Sequence, residues 1–358
     1  MTEDALSTIR TKIDKLDQTI FQALKERAQA ACEVARIKRE SADPVYYRPE
    51  REAQILRNIA TKNDSLLPDR AVTQIFREIL TACLALQKEL SIAYLGPEGT
   101  FSQLAAQTHF GTSALQLPQE SIERVFQAVE SGHADYGIVP FENSIEGIVN
   151  MTLDAFLNSS LQICGEVEIP IHHHLLRMKE TQKPITKLYS HSQSLGQCRQ
   201  WIAAHLPNVL IIPTQSNGLA AQFAHQDPDA AAIAGQGAAD HYGLEILEAN
   251  IEDHPQNTTR FLVLGKESPA RSGCDKTSLL IPTPHIPGFL FHLLKPFADR
   301  GINLTLLESR PYQHRNWSYL FFIDVLGHQE DEEVAEALAE LEKMSILVTV
   351  LGSYPRVG

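Results

Sequence analysis

A cation stands where a helix should be apolar. From Leu6 to Ile37, apolar residues or their substitutes recur at alternating steps of three and four, the seam of one long helix, and Arg27 falls on that seam. An unpaired cation is costly to bury, so Arg27 asks for an anion. From this residue alone, an arginine snorkelling out of the seam or paired with a core carboxylate reads equally well. Lys38 shifts the balance: it lies eleven residues on, roughly 16 Å along the same face, so the two side chains can converge on one small dianion. Arg10 is 28 residues from Lys38, roughly 42 Å of helix, and can reach the same pocket only from a second subunit.

A second set of candidates lies further on. Gly96-Pro-Glu-Gly99-Thr100-Phe101-Ser102 follows an expected strand and precedes an expected helix, so its glycines and hydroxyls can cradle an anion at a helix N-terminus. Taken alone it is also a plain strand-to-helix turn. Glu142-Asn143-Ser144-x-x-Gly147 and Asn257-Thr-Thr259-Arg260-Phe261 add amides and hydroxyls, and jointly the three segments are a stronger signal. Two other patterns read as decoys. His172, His173 and His174 alternate faces if they lie in a strand, with no carboxylate or cysteine at ligand spacing, which argues against a metal. Gly235-Gln-Gly237-Ala-Ala-Asp240 imitates a dinucleotide loop but carries an anion at its third glycine position, which argues against a nicotinamide.

These residues need elements to hold them. The long helix stops near Ser41 to Pro44, and helical patterns follow around Glu50 to Ala60 and Asp69 to Leu90. At Ile92 the punctuation changes to short apolar runs (Ile92 to Leu95, Tyr136 to Val139, Phe261 to Gly265) alternating with helical stretches such as Ser121 to Glu130, an α/β pattern. Lys266 to Asp275 reads as a linker, and Thr277 onward spells βαββαβ, a ferredoxin-like unit. A chain of 358 residues accommodates these as three domains, 1–90, 91–267 and 275–358.

Composition narrows the class. Hydrophobic residues at 43% and charged residues at 21% fit a soluble globular chain, and no run approaches a membrane span or an export signal, so a cytoplasmic location is expected. A net charge of −13 argues against nucleic acid, yet residues 1–90 carry 15 Lys and Arg against 14 Asp and Glu, which suits an anionic substrate there. Five scattered cysteines without a C-x-x-C pair suggest reduced thiols.

The first segment resembles the all-helical chorismate mutase family, through Leu6-x-x-Ile9-Arg10-x-x-Ile13-Asp14-x-Leu16-Asp17, Glu26-Arg27, Val34-Ala35-x-x-Lys38, Arg48-Pro-Glu-Arg51-Glu52 and Leu84-x-x-Gln87. The resemblance implies that Arg27, Arg51 and a partner's Arg10 hold substrate carboxylates. It implies that Lys38 and Gln87 donate to the breaking ether oxygen and that Glu52 orients the ring hydroxyl. Arg48 and Cys83, also at the substrate, depart from the acid and small hydroxyl of some members. Such a set lacks nucleophile and acid because the conversion of chorismate to prephenate is unimolecular: selecting the compact conformer and stabilising charge on the ether oxygen suffice.

The second segment resembles prephenate dehydratases, through Gly96 to Ser102, Glu142 to Asn150, His172 to Leu175, Ser190-His-Ser-Gln193 and Thr259-Arg-Phe261. That implies a two-lobed fold like periplasmic binding proteins with prephenate in the interlobe cleft. Thr259 would stand at the hinge and act on the departing hydroxyl, and Gly99, Thr100, Phe101, Ser102, Asn143, Ser144, Gly147, Arg260 and Phe261 would line the substrate site. Hydroxide leaves badly, so such a site needs a donor at that oxygen and a clamp on the side-chain carboxylate.

The third segment resembles an ACT regulatory domain. Glu308-Ser309-Arg310-Pro311 matches the phenylalanine motif of regulated dehydratases, Asn303 the segment before it, and Gly288-Phe289-Leu290 the usual Gly-Ala-Leu with a ring in place of the alanine methyl. The joint expectation is an enzyme with both activities and phenylalanine feedback, needing no cofactor and no metal, and assembled as a homodimer or higher even oligomer. The alternative is a non-catalytic amino-acid-binding sensor, which the missing export signal and the mutase residues oppose.

Overall fold

The computed structural model describes residues 2–40, 45–181, 183–283, 286–311, 319–344 and 346–356. The chain divides into two compact units, Met1–Leu90 with Phe110–Leu115, and Ser91–His109 with Gln116–Gly358.

The first unit holds three helices, α1 (Thr2–Arg39), α2 (Pro49–Thr61) and α3 (Asp69–Ala85). The helix stop read at Ser41 to Pro44 lies outside the described residues. Ala31 and Ala35 are buried, whereas Leu6, Ile9, Ile13, Leu16 and Ile20 are each about half exposed, so the N-terminal part of the seam is left uncovered by the described residues of its own unit. The last helix ends earlier than its pattern suggests. Beyond it the Leu84 carbonyl accepts from both the Gln87 and Lys88 amides, at 2.8 and 3.1 Å, a shared bond typical of a tightening last turn.

The second unit contains three sheets. The first runs in the order Leu115–Gln119, Ser91–Leu95, Tyr136–Asn143, Thr258–Gly265, Gln162–Pro170, with the short Gly147–Ile148 pairing against Tyr136–Asn143. The second runs Glu245–Glu248, His174–Arg177, Ala230–Ala234, Lys187–His191, Leu210–Thr214. Chain order explains the two lobes. The backbone leaves the first sheet after Pro170, builds the second, and returns at Thr258 between two strands laid down earlier. The two crossings are tied where the Ile171 amide donates to the Asn257 carbonyl at 2.8 Å.

The third sheet has the order Leu304–Pro311, Tyr319–Leu326, Asp275–Thr283, Thr349–Pro355, antiparallel throughout, with helices Phe289–Asp299 and Glu332–Lys343 completing the βαββαβ unit. This sheet does not hang from a free linker. Leu280, Leu320, Phe322 and Tyr354 share one core with Val139, Phe141, Leu262 and Leu264 of the first sheet. The residues read as a linker are bonded down: Cys164 Sγ donates to the Glu267 carbonyl at 3.0 Å, and the Ser272 hydroxyl to Asp275 at 2.5 Å. All five cysteines are free.

Candidate functional site

The two lobes of the second unit enclose a cavity of about 1000 Å³. From the first lobe it is lined by Thr100, Phe101, Ser102, Asn143, Thr259 and Phe261; from the second by His191, Gln193, Ser194, Gln197, Ser216 and Asn217. His173 lies on its floor, 1% exposed. Among the described residues, no lysine or arginine lines it.

Thr259 and Asn143 meet because they are direct cross-strand partners in the antiparallel ladder. The direction of each hydrogen bond in the floor follows from the backbone. The Ile145 and Glu146 amides both donate to Asn143 Oδ1 at 3.1 Å, which fixes the orientation of that side chain. Asn143 Nδ2 therefore donates to Thr259 Oγ1 and to Asn257 Oδ1, each at 2.8 Å. Asn257 Nδ2 in turn donates to Gln197 Oε1 at 3.0 Å, so His173 Nε2, 2.8 Å from the same oxygen, carries a proton. Two consequences follow. Thr259 Oγ1 accepts within the protein, leaving its own proton for a group in the cleft. His173 carries a proton on Nε2, and its Nδ1 has no hydrogen-bond partner among the described residues. Burial lowers its pKa, against the opposing pull of Gln197 and Glu252, which keeps the ring uncharged. Burial also lowers the pKa of His191.

The Gly96 to Ser102 loop bridges the lobes. Gly99 has φ +77°, and a Cβ there would lie 2.8 Å from Ala238 Cα; a Cβ at Gly218 would lie 2.6 Å from the Glu98 carbonyl. Only glycines allow this loop to sit so close to two second-lobe helices. Its amides are partly spent, however. Gln103 Oε1 accepts from the Gly99 amide at 2.7 Å, and the Thr100 hydroxyl turns back to the Pro97 carbonyl at 2.9 Å.

Four residues expected at the substrate are therefore placed elsewhere. Gly99 and Gly147 do not line the cavity. Ser144 also stays off its wall, its hydroxyl accepting from the Thr258 amide at 3.0 Å. Arg260 points to the opposite face of its strand, because side chains alternate and Thr259 and Phe261 take the cleft side; its guanidinium is buried against Glu166 and Asp324. Conversely, Gln197, His173 and Asn217 line the cavity and Asn257 bonds to Asn143 and Gln197 beside it, and none of the four was expected at the substrate. Asn257 stood inside a quoted motif, and His173 inside a triplet judged only as metal ligands. The three rings go to different partners: His172 Nδ1 to Glu252 at 2.7 Å, His173 to Gln197, and His174 Nδ1 accepts from the Asn250 amide at 3.0 Å.

In the first unit, Lys38 Nζ donates to Gln87 Oε1 at 3.4 Å and to the Tyr46 carbonyl at 3.1 Å. Gln87 thus accepts through oxygen and keeps its Nε2 protons for another acceptor. Burial lowers the Lys38 pKa, with Arg48 adding to the effect and Glu50 opposing it. Arg27 Nη1 reaches the Ile79 carbonyl at 3.4 Å. Glu52 lies 3.7 Å from Arg77, and burial pushes its carboxyl up to about 7 against that arginine's pull. Cys83 is buried and Arg10 exposed. Arg51 lines a different groove of about 560 Å³ between α2 and α3, with Ile55, Lys62, Ile75 and Phe76 on its walls. One chain thus joins Lys38 to Gln87 and leaves Arg10 and Arg51 apart from them.

In the third sheet, Gly288, Leu290, Asn303, Ser309 and Pro311 are exposed, while Glu308 and Arg310 are half-buried on the alternate face of the strand. Arg310 Nη2 pairs with Asp154 at 2.6 Å and Nη1 donates to the Asn150 carbonyl at 3.1 Å, on the helix whose Met151 lines the cleft. Phe289 packs against the core formed by Leu279, Ile281, Leu293 and Phe297.

Comparison with known proteins matches three family models in sequence order: chorismate mutase type II over residues 9–88, prephenate dehydratase over 92–269, and the ACT domain over 278–343. A bifunctional chorismate mutase/prephenate dehydratase of Stutzerimonas stutzeri is 47% identical, covering 99% of this chain and 98% of that protein. Among solved structures, a prephenate dehydratase in complex with L-Phe from Arthrobacter aurescens superposes with a TM-score of 0.69 at 36% identity, over 75% of this chain and 90% of that one. A structure described as a quorum-quenching acylase, GqqA, gives 0.68 at 28% identity, over 75% and 98%.

Proposed function

The chain belongs to the family of bifunctional chorismate mutase/prephenate dehydratases, and from that premise we propose that it converts chorismate to prephenate and prephenate to phenylpyruvate, with phenylalanine as feedback inhibitor through its ACT domain. The observation that carries the dehydratase half is the directed chain of amides under Thr259. Because Asn143 donates to Thr259 Oγ1 at 2.8 Å, the threonine O–H is free to donate a hydrogen bond to the ring hydroxyl and stabilise the charge on it as it departs. Loss of the hydroxyl and of CO2 then leaves an aromatic ring, whose stability drives the step. Fold similarity alone does not decide activity, as the acylase neighbour illustrates; identity along nearly the whole chain with the bifunctional relative supports this reading.

For the first reaction, Lys38 and Gln87 would place donors at the ether oxygen, with Arg27 and Arg51 at the carboxylates and Glu52 at the ring hydroxyl. Arg10 would come from a second copy. The exposed Leu6 to Ile20 face of α1 calls for that copy, since a bare apolar seam on a 38-residue helix is a poor surface for a monomer. No described helix is long and apolar enough to cross a membrane, and a cytoplasmic location fits a biosynthetic enzyme. Phenylalanine would bind at the exposed Asn303 and Ser309 surface between third sheets of neighbouring subunits. The deciding experiment follows phenylpyruvate from chorismate with and without phenylalanine. The expected result is prephenate appearing first, phenylpyruvate second, and inhibition of the second step; no consumption of chorismate or no phenylpyruvate overturns the corresponding half.

A further inference from the structure

Arg260 follows Thr259 in the sequence and lies on the opposite face of the same strand. Its side chain is 9% exposed. Nε donates to Glu166 Oε2 at 2.7 Å; Nη2 donates to Tyr354 Oη at 2.9 Å and lies 2.7 Å from Asp324 Oδ2 as an ion pair. Glu166 is held from its other side by Lys276 Nζ at 2.9 Å. The Ser278 hydroxyl donates to Asp324 at 2.6 Å and sits 2.8 Å from Tyr354 Oη.

The origin of these groups matters more than their number. Glu166 belongs to the first sheet, on the strand next to the one that carries Thr259; Lys276, Ser278, Asp324 and Tyr354 come from three strands of the third sheet. Arg260 and Lys276 face the buried Glu166 and Asp324, with the partly exposed Glu142 3.8 Å from Arg260 Nη1, so both cations are matched by carboxylates and the cluster is intolerant of losing one member. A planar guanidinium with fixed donor directions holds only a narrow range of positions relative to its acceptors. A slide of the third sheet must therefore either carry the Thr259–Arg260 backbone with it or rebuild the cluster. Misplacing a catalytic group by about 1 Å can cost on the order of a hundredfold in rate.

We infer that Arg260 is a positioning residue for Thr259, and that the buried cluster around it is the joint by which the ligand state of the third sheet changes the dehydration rate. The second clause rests on the phenylalanine regulation proposed above. A merely stabilising role predicts lost folding with unchanged chemistry in what folds; a joint predicts altered turnover and altered communication in a folded protein.

The test uses the full chain with Asp324→Asn, Arg260→Lys and the double variant. Each single variant should lower dehydratase kcat on the order of tenfold, with KM and mutase turnover little changed. Phenylalanine should still bind by calorimetry, while the inhibition reached at saturation falls to less than half. Because both residues serve one joint, the double variant should be no worse than the worse single. Wild-type kcat and inhibition in both singles, or losses that add in the double, overturn the inference. Should the variants not fold, hydrogen exchange on the wild type decides. Phenylalanine should change protection at Thr258 to Phe261, and a change confined to the third sheet overturns the joint. A wild type that phenylalanine neither binds nor inhibits sinks the proposed regulation and the joint with it, and the kcat of Arg260→Lys alone then decides the positioning role.

Discussion

Replacing Thr259 by valine keeps the shape of the side chain and removes only its hydroxyl, which separates two consequences of the hydrogen-bond directions in the cleft floor. The first is kinetic. If the hydroxyl donates to the leaving oxygen in the transition state, its loss should lower kcat for prephenate dehydration by about 10² to 10³, or roughly 2.7–4 kcal/mol of barrier, the usual effect of deleting one such donor. The second is structural. Asn143, 6% exposed, loses one of its two acceptors, and a buried N–H left without one costs about 1–3 kcal/mol. The Thr258 carbonyl, 3.4 Å from the same nitrogen, is placed to take up part of that deficit, so the lower end is expected. Thr259→Ser restores both groups and should stay within a few-fold of wild type. Phenylpyruvate formation from prephenate measures the first effect, denaturant unfolding the second, and chorismate consumption serves as an internal control that neither variant should alter. Thr259→Val with kcat within fivefold of wild type would remove Thr259 from the chemistry. A serine variant as slow as the valine one would show that the hydroxyl is not what matters.

Three further outcomes are expected. Inactive Arg10→Ala and Lys38→Ala chains, refolded together, should regain roughly a quarter of wild-type mutase activity, since half the dimers are mixed and one of their two pockets is intact; a mixture as inactive as its components sinks the shared pocket. Burial pushes the Glu52 carboxyl up to about 7 in the folded chain, above the ordinary 4.5, so it binds its proton more tightly folded than unfolded and its ionisation costs stability as pH rises from 4.5 through 7. Glu52→Gln should therefore stabilise the first unit by about 2–3 kcal/mol at pH 8 and by under about 1 kcal/mol at pH 5, read from unfolding curves at the two pH values; equal effects at both refute the buried carboxyl. Phe289→Ala opens space beside the core of the third sheet, and should cost about 1–3 kcal/mol in unfolding and shift the phenylalanine dependence of inhibition; an unchanged inhibition curve would place the ligand away from this residue.

What could be read from the sequence, and what could not, follows from which interactions are local. The 3.5-residue seam of α1, the α/β punctuation after Ile92 and the βαββαβ order are local periodicities, and the helices and strands appear where they were expected to within a few residues, except at Ala85. The direction of Arg260 was legible in principle. Alternation along a strand puts it opposite Thr259 once Thr259 is assigned to the cleft, yet proximity in a motif suggested a shared role. Gln197 and His173 were not legible, because Gln197 meets Asn257 across 60 residues and His173 meets Gln197 across 24, contacts that no spacing encodes. The tie on the linker was hidden for the same reason: Glu267 looks solvent-facing in sequence, and its partner Cys164, 103 residues away, becomes visible only in the fold.

The two sites handle one molecule with opposite electrostatics, and the chemistry explains why. In the proposed mutase pocket both carboxylates of chorismate survive into prephenate, so arginines that bind them tightly in ground and transition states alike cost nothing in the step itself, and they hold the compact conformer. In the second site one carboxylate must leave as neutral CO2. A cation held against it would stabilise the ground state more than a transition state in which that charge is draining into the ring, and would raise the barrier. The cleft is built accordingly. Its lining offers amides and hydroxyls, with Asn143, Gln197, Ser102, Ser194 and Asn217 around Thr259, and one carboxylate, Glu120; among the described residues it has no lysine or arginine. Neutral donors can hold the side-chain carboxylate that persists while leaving the departing one without a countercharge. The one arginine of the motif, Arg260, is turned to the far face of the strand and neutralised by Glu166 and Asp324, where its charge is spent on holding the backbone rather than the substrate.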